Sequence, residues 1–263
     1  MRTWLSILAT LALLCAIGAA QARQIVRVGA YSFPPYVTID AAGEAQIELV
    51  ELLNRHQDRY EFRIVTTSPS RRYYDFSRNA FDVMFYENRD WGWQRYPVEV
   101  SPVYLTGGEQ YVALQRPGRT QRYFDDFSGK RMLGMRGYHY GFASFNSDPE
   151  FLRRKFGMIG TTNNEATLRL LLDGKGDVAV VTSAYLSQYL AANPELRSRL
   201  MISDRLDQEY RHTILVRSDF EPNAAELAAL LRELEKSGVL RPLWQKYGSP
   251  GRSDPDKLTR PKP

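Results

Sequence analysis

The sequence predicts an α/β protein of two lobes, each a mixed sheet flanked by helices. Strand-like and helix-like segments alternate through residues 25–86, which is typical of a parallel sheet with crossover helices. One series of features occurs twice: a helix, a residue that ends it, a short link, an Asp and a buried strand. The first copy ends with the strand at residues 81–86 and the second with the strand at residues 178–182. Two further strands, at residues 104–115 and 210–217, are positioned to cross between the lobes. Two crossings imply a hinge.

These crossings define the lobe boundaries. Residues 23–108 and 210–248 are predicted to form lobe 1, and residues 109–209 lobe 2. Residues 249–263 are rich in Pro, Lys, Arg and Asp and can bury little apolar surface, so they are predicted to be a disordered tail.

The N-terminus has the layout of a secretory signal peptide. Arg2 is followed by an apolar run over residues 5–17 and by small residues that end at Ala22, so residues 1–22 are predicted to be cleaved and the protein to be periplasmic. The run is too short for a membrane anchor. Cys15 follows Leu14, where a lipoprotein signal has a small residue, so no lipid anchor is expected.

Composition excludes several classes of protein. The mature chain of 241 residues (263 less 22) has lost Cys15, the single cysteine, and cannot form an intrachain disulfide. It has 34 basic residues (35 less Arg2) against 30 acidic ones, a net charge of about +4 with the signs interspersed. Nucleic acid is therefore not an expected partner, and anionic ligands are favoured only weakly.

The elements follow in order along the chain. A strand over residues 25–31 ends at Pro34 and Pro35, because proline cannot continue a strand. The remaining predicted elements of lobe 1 and lobe 2 are helix 44–56, strand 60–66, helix 71–77, strand 81–86, a turn and strand within 125–137, helix 141–156, helix 164–173 capped by Asn163 or Asn164, strand 178–182, helix 183–191, a helix from Pro222 to Gly238 and a short amphipathic piece over 240–247.

Aromatic and charged side chains stand where several predicted strands end. Ligands bind outside the carboxyl ends of strands in open α/β sheets, so these residues predict a binding cleft. They are Tyr31, Phe33 and Tyr36 after the first strand, Arg72 in the first turn of the second helix, Glu87, Trp91 and Arg95 after the third strand, and Arg136, Tyr138 and His139 in lobe 2. A cleft with three guanidinium groups and aromatic walls suits a small carboxylate-bearing solute.

The chain resembles the periplasmic solute-binding proteins of family 3, the polar amino-acid receptors of ABC importers. The resemblance covers roughly residues 25–248. It is carried by short motifs in the family's order, namely Phe33-Pro34-Pro35-Tyr36, Pro69 with Arg72, Asp82-Val83-Met84, Gln94-Arg95, Val100-Ser101-Pro102-Val103-Tyr104, Phe127-Ser128-Gly129-Lys130-Arg131 with Gly134, Gly174 to Asp177, and Leu240 to Gly248. It implies the type II two-lobed fold, capture of a solute by hinged closure, and an ABC permease as partner.

The resemblance also implies roles for individual residues. Arg95 corresponds to the arginine that pairs with the ligand's α-carboxylate, although an ion pair with Glu99 is the structural alternative. Phe33, with Tyr36 or Tyr31 as the second choice, corresponds to the aromatic that stacks on the ligand.

Four positions depart from the family. Thr182 stands where an Asp meets the α-ammonium group, Tyr138 and His139 where a Ser or Thr meets the carboxylate, and Glu87 where a small residue is usual. An aromatic or sugar-like acid therefore competes with a standard amino acid as the expected ligand.

Catalysis is the alternative to binding. The sequence has no nucleophile elbow, zinc-binding helix, cysteine pair or phosphate-binding glycine loop, so no enzyme activity, cofactor or metal is expected. A few proteins of this fold are cyclohexadienyl dehydratases, and there Glu87 would act as acid or base. A third interpretation is an orphan sensor domain with the same site residues.

Overall fold

The structure is a computed structural model that describes residues 22–248. The predicted signal peptide, apart from Ala22, and the predicted tail after Gly248 lie outside the described residues.

Strands and helices alternate along most of this range. The strands are β1 (Gln24–Ala30), β2 (Thr38–Ile39), β3 (Ala45–Gln46), β4 (Tyr60–Thr66), β5 (Val83–Glu87), β6 (Val98–Val100), β7 (Leu105–Leu114), β8 (Met132–Met135), β9 (Ile159–Thr161), β10 (Val178–Thr182) and β11 (Leu200–Arg217). The α-helices are α1 (Glu48–His56), α2 (Arg72–Ser77), α3 (Pro149–Phe156), α4 (Asn164–Leu172), α5 (Ser183–Ala192), α6 (Ala224–Lys236) and α7 (Arg241–Lys246). Within the described range, none of the helices has the length and apolar character needed to cross a membrane.

One curled mixed sheet connects the two lobes. Its strand order is β4-β1-β5-β11-β7-β10-β8-β9, with β6 paired to β11. In lobe 1, β1 lies parallel to β4 and β5, and in lobe 2, β8 lies parallel to β9 and β10. Strands β7 and β11 run antiparallel between these two parallel groups. The predicted α/β class, with a mixed sheet in each lobe, is confirmed.

Local signals fix several helix ends. The side chain of Asn163 accepts a hydrogen bond from the Ala166 N–H at 2.7 Å, so Asn163 is the cap of α4. Asn223 and Glu226 form a reciprocal capping box at the start of α6. Gly238 follows α6 with φ of 81°, a left-handed conformation that glycine adopts without a steric penalty.

Three predicted elements differ from the structure. The helix predicted over residues 44–56 begins only at Glu48, because Ala45 and Gln46 form β3. The helix predicted over residues 141–156 is interrupted, because Ser144 and Phe145 have φ of 52° and 60° and α3 begins only at Pro149. The strand predicted over residues 210–217 is only the last part of the 18-residue β11.

Candidate functional site

A small cavity lies where the two lobes meet. The carboxyl ends of β1, β5 and β8 point to it, as expected for a ligand site in a sheet of this kind. Its lining comes from both lobes and from the two crossing strands: Tyr31, Phe33, Arg72, Trp91, Glu109, Gly137, Tyr138, His139, Gln208 and Tyr210.

Aromatic rings form much of the cavity wall and meet edge to face. The Phe33 ring centroid lies 5.9 Å from that of Trp91, 5.6 Å from Tyr138 and 5.5 Å from Tyr210. The Tyr138 hydroxyl of lobe 2 also donates a hydrogen bond to the Ser32 carbonyl of lobe 1 at 2.8 Å. The two lobes are therefore in contact across the cavity.

Arg72 supplies the guanidinium group of the cavity, and Glu87 is its counter-ion. The Arg72 Nε lies 3.1 Å from the Glu87 Oε1, and both side chains are buried. The Glu87 Oε2 accepts a hydrogen bond from the Trp93 indole N–H at 2.9 Å. Burial raises the pKa of Glu87, although Arg72 and the Trp93 N–H oppose the rise. Burial by itself would lower the pKa of Arg72, but Glu87 and three neighbouring tyrosines together more than offset this, so Arg72 stays charged.

Neighbouring groups hold the Arg72 guanidinium in one orientation. It lies over the rings of Tyr31 and Tyr73, with 4.8 Å and 4.4 Å between its central carbon and the ring centroids. It also donates to the carbonyls of Pro69 and Trp91. Together with the Glu87 contact, these use at most three of its five N–H donors, so donors remain for a ligand.

A β-bulge sets the direction of the Glu87 side chain. Thr213 of β11 pairs with Glu87, whereas Leu215, two residues later, pairs with Met84, three residues earlier. Tyr86 takes up the extra residue with φ of 58°, in the left-handed region. Bulges next to functional sites redirect side chains, and this one turns the carboxylate into the buried ion pair.

A second carboxyl group, that of Glu109 on β7, lines the cavity and is 1% exposed. Its Oε2 accepts a hydrogen bond from the Gln208 Nε2 at 2.8 Å. The same Gln208 amide donates to the His139 carbonyl and accepts from the Trp91 indole N–H at 2.9 Å. Burial and the negative charge of Asp207 raise the pKa of Glu109 to about 8. Gln208 thus connects Glu109 with both lobes.

His139 is a neutral member of the wall. Its Nε2 lies 3.4 Å from the Tyr73 hydroxyl. Burial and the charge of Arg72 lower the pKa of His139 to about 3. At neutral pH its ring therefore offers one hydrogen-bond donor and one acceptor and no charge.

The structure brings six of the eleven sequence-predicted site residues together around the cavity. They are Tyr31, Phe33, Arg72, Trp91, Tyr138 and His139. Phe33 and Tyr138 meet across the lobes, as the sequence prediction of a shared cleft requires.

Three more of these residues lie directly behind the wall. Tyr36 packs edge to face against Phe33, at 5.2 Å between centroids. Glu87 lies behind Arg72, and the Thr182 Oγ1 is 3.4 Å from the Tyr210 hydroxyl. They contact wall residues and do not themselves line the cavity.

Arg95 and Arg136 do not reach the cavity, contrary to the expectation of three guanidinium groups around one ligand. In the 3₁₀ turn Trp93–Arg95, the side chain of Trp93 points inward and is buried, whereas Arg95 is exposed. Arg136 is also exposed, and its Nε donates to the Gly160 carbonyl at 2.9 Å within lobe 2. Arg72 is the arginine among residues 22–248 that lines the cavity.

The sequence prediction missed Glu109, Gln208 and Tyr210. All three lie within the crossing strands β7 and β11 and not at a strand end. A signal was present, because Glu109 alternates in phase with the buried Leu105, Tyr111 and Ala113. An acid on the buried face of a strand needs a partner.

The chemistry available at this site is that of binding and proton transfer. It offers a paired guanidinium group, a protonatable carboxyl group, an amide and several phenol hydroxyls. Residues 22–248 contain no cluster of three or more His, Cys, Asp or Glu side chains arranged to hold a metal ion.

Known proteins share this architecture at low sequence identity. No family model and no curated protein matches the sequence. A mutant of ArgBP from T. maritima is 21% identical, with a TM-score of 0.63, and the match covers 85% of this chain and 94% of that one. The cysteine-binding protein from Campylobacter jejuni is 16% identical, with a TM-score of 0.62 and coverage of 85% and 88%.

A third similar structure is an ancestral amino-acid-binding protein described as a precursor of cyclohexadienyl dehydratase. It is 15% identical, with a TM-score of 0.60, and the match covers 85% of this chain and 94% of that one. These likenesses confirm the two-lobed fold that the sequence motifs predicted.

Proposed function

We propose that this chain, which has the two-lobed fold of the amino-acid-binding periplasmic proteins, is a receptor that captures a small amino-acid-like solute by closing its lobes. The observation that carries the proposal is the cavity between the lobes, where Arg72, Glu109 and aromatic rings from both sides converge. The unused N–H donors of Arg72 suit a carboxylate, and the rings suit an apolar side chain.

Export and transport belong to the same proposal. The signal-peptide pattern of residues 1–22 supports a periplasmic location. A receptor there would deliver its solute to an ABC permease in the inner membrane. A sensor that reports the bound solute to a membrane protein would use the same cavity.

A ligand screen tests the proposal. Thermal-shift measurements across amino acids, aromatic acids and sugar acids should identify a solute that stabilises the protein, by about 2.7 kcal/mol at a hundred times its dissociation constant. Arg72→Lys keeps a positive charge beside Glu87 but loses the planar donors, so calorimetry should show at least tenfold weaker binding. Arg95→Lys, the same change outside the cavity, should leave the affinity unchanged. No stabilising solute, or equal effects of the two variants, would refute the assignment.

One observation favours a second candidate, a cyclohexadienyl dehydratase-like enzyme. Glu109 faces the cavity with its pKa raised to about 8, which suits a general acid at neutral pH. Glu87, the acid that the sequence favoured, lies behind Arg72. Incubation with prephenate separates the two functions, because an enzyme releases a dehydrated and decarboxylated product whereas a receptor returns its solute unchanged.

A further inference from the structure

The charges at the cavity do not balance when Glu109 is ionised. Arg72 is already matched by Glu87 at 3.1 Å. Asp207 acts on Glu109 as a second acid, and Arg205 is the cation beside Asp207. The two guanidinium groups of Arg72 and Arg205 are therefore outnumbered by the three carboxyl groups of Glu87, Asp207 and Glu109. The unmatched negative charge is that of Glu109, which lines the cavity.

The aromatic walls also favour a cation. Phe33, Trp91, Tyr138 and Tyr210 line the cavity, and neighbouring rings among them lie 5.3 to 5.9 Å apart between centroids. Ring faces attract cations, and an ammonium group enclosed by aromatic rings is a known binding arrangement. The protein already uses two ring faces in this way for Arg72.

We infer that the cavity selects a protonated amine, which the Glu109 carboxylate holds beside the rings of Trp91 and Tyr210, and that the amine contributes more to selectivity than the carboxylate does. The inference rests on the proposed receptor function and narrows its ligand class. A solute with a carboxylate and no amine would bring a further negative charge to a site whose guanidinium group already has a counter-ion.

The polar contacts of Glu109 fit this role. Gln208 holds one carboxyl oxygen by a 2.8 Å hydrogen bond, and its own amide is anchored by Trp91 and His139. The carboxyl group is thus fixed in place before a ligand arrives, and fixed groups bind with a smaller loss of entropy.

Binding should release a proton. With its pKa near 8 in the unliganded cavity, Glu109 holds a proton at neutral pH, and an ammonium group would displace it. The other titratable groups around it are Asp207, whose pKa burial also raises, and three tyrosines, Tyr138, Tyr140 and Tyr210, whose pKa values burial raises well above 10. The tyrosines therefore remain neutral.

Matched ligand sets test the inference. Calorimetry would compare L-valine, L-phenylalanine and L-arginine, each with its decarboxylated amine and its deaminated acid. In at least one of these sets, the deaminated acid should bind at least 30-fold more weakly than the two compounds that keep an amine, namely the amino acid and the decarboxylated amine. Glu109→Gln should weaken binding of those amines by about 30-fold, the loss of a charge-assisted contact. Glu209→Gln removes the same charge from an exposed neighbouring position on β11 and should leave binding unchanged.

A second readout does not depend on any variant folding. Amine binding to the parent protein at pH 7, repeated in buffers of different ionisation enthalpy, should show net proton release. Deaminated acids that bind as tightly as the amines, or binding without proton release, would overturn the amine site and leave the receptor function standing. Failure of every compound to bind would overturn both.

Discussion

Arg72 and Glu87 form an ion pair in which both side chains are buried, with exposed fractions of 2% and 0%. Removing one partner of such a pair leaves the other charge in the interior without compensation. Glu87→Gln should therefore lower the free energy of unfolding by about 3–5 kcal/mol. Glu51→Gln is the matched control, because its partner Arg55 is exposed, and it should cost at most about 0.5 kcal/mol. Urea denaturation measures both, and equal losses would contradict the argument.

Glu109 gives stability a specific pH dependence. Its pKa rises from 4.5 to about 8 on folding, so between these values the folded protein holds a proton that the unfolded chain has released. Stability from this group is therefore lost as pH rises, by up to about 1.4 kcal/mol per pH unit. Relative to the parent, Glu109→Gln should gain stability between pH 5 and 8 in denaturation experiments.

Two histidines contribute in the opposite direction at lower pH. Burial lowers the pKa values of His139 and His212 to about 3 from 6.5, so stability falls as pH drops below 6.5, where the unfolded chain takes up protons that the folded protein does not. Because both histidines are present in the parent and in Glu109→Gln, their effect cancels in the comparison. A constant difference between the two proteins across pH 5–8 would rule out the buried proton.

Residues at strand ends were predicted from the sequence, whereas residues within the crossing strands were missed. Phe33 and Tyr138 follow strands, and the topology of an open α/β sheet brings such positions together. Arg95 was assigned from a motif, but the turn that contains it directs Trp93 inward instead. Glu109 lies in the middle of β7, where its contact with the cavity depends on how the lobes close.

At the scale of elements, the loop after β8 is where lobe 2 touches lobe 1. Gly137 has φ of 77°, and a Cβ there would lie 2.6 Å from the Ser70 Oγ and 3.0 Å from the Ser70 backbone nitrogen. Gly129 has φ of 70°, and a Cβ there would have no heavy atom within 4 Å. The two glycines share backbone strain and differ in the contact between lobes.

Gly137→Ala should therefore impair closure in addition to stability. Both Gly137→Ala and Gly129→Ala should lose about 1–2 kcal/mol from the left-handed backbone. Only Gly137→Ala should weaken ligand binding, by tenfold or more, because closing the lobes then requires Ser70 to move. Solution X-ray scattering should show a larger radius of gyration for that variant alone, and identical scattering and affinity for both would count against the contact.

The boundaries of two elements could not be predicted from the hydrophobic pattern of the sequence. Residues 203–209 of β11 are mostly polar, and their pairing with β7 shifts register after Ile202 and again after Leu206. Without regular alternation, a strand has no period-two signal. The helix predicted over residues 141–156 has regular spacing, but the left-handed Ser144 and Phe145 interrupt it.

At the scale of the whole molecule, Tyr138 joins the lobes through its hydrogen bond to the Ser32 carbonyl. Tyr138→Phe should remove that bond and cost the closed state about 1 kcal/mol, which corresponds to about fivefold weaker solute binding. Tyr140→Phe is the control, because the Tyr140 hydroxyl accepts from the Met135 N–H within lobe 2. Calorimetry should find weaker binding only for Tyr138→Phe, and equal losses would remove the bond between lobes from the mechanism.

The pairing of strands β7 and β11 has a consequence for how the proposed receptor could diversify. Backbone hydrogen bonds, from Leu114 with Leu200 to Leu105 with His212, tie the two strands together along the whole length of β7. The axis of the proposed lobe closure would thereby be set by main-chain geometry, which side-chain substitutions leave intact. Substitutions in the cavity could therefore change ligand specificity without changing the direction of the proposed closure.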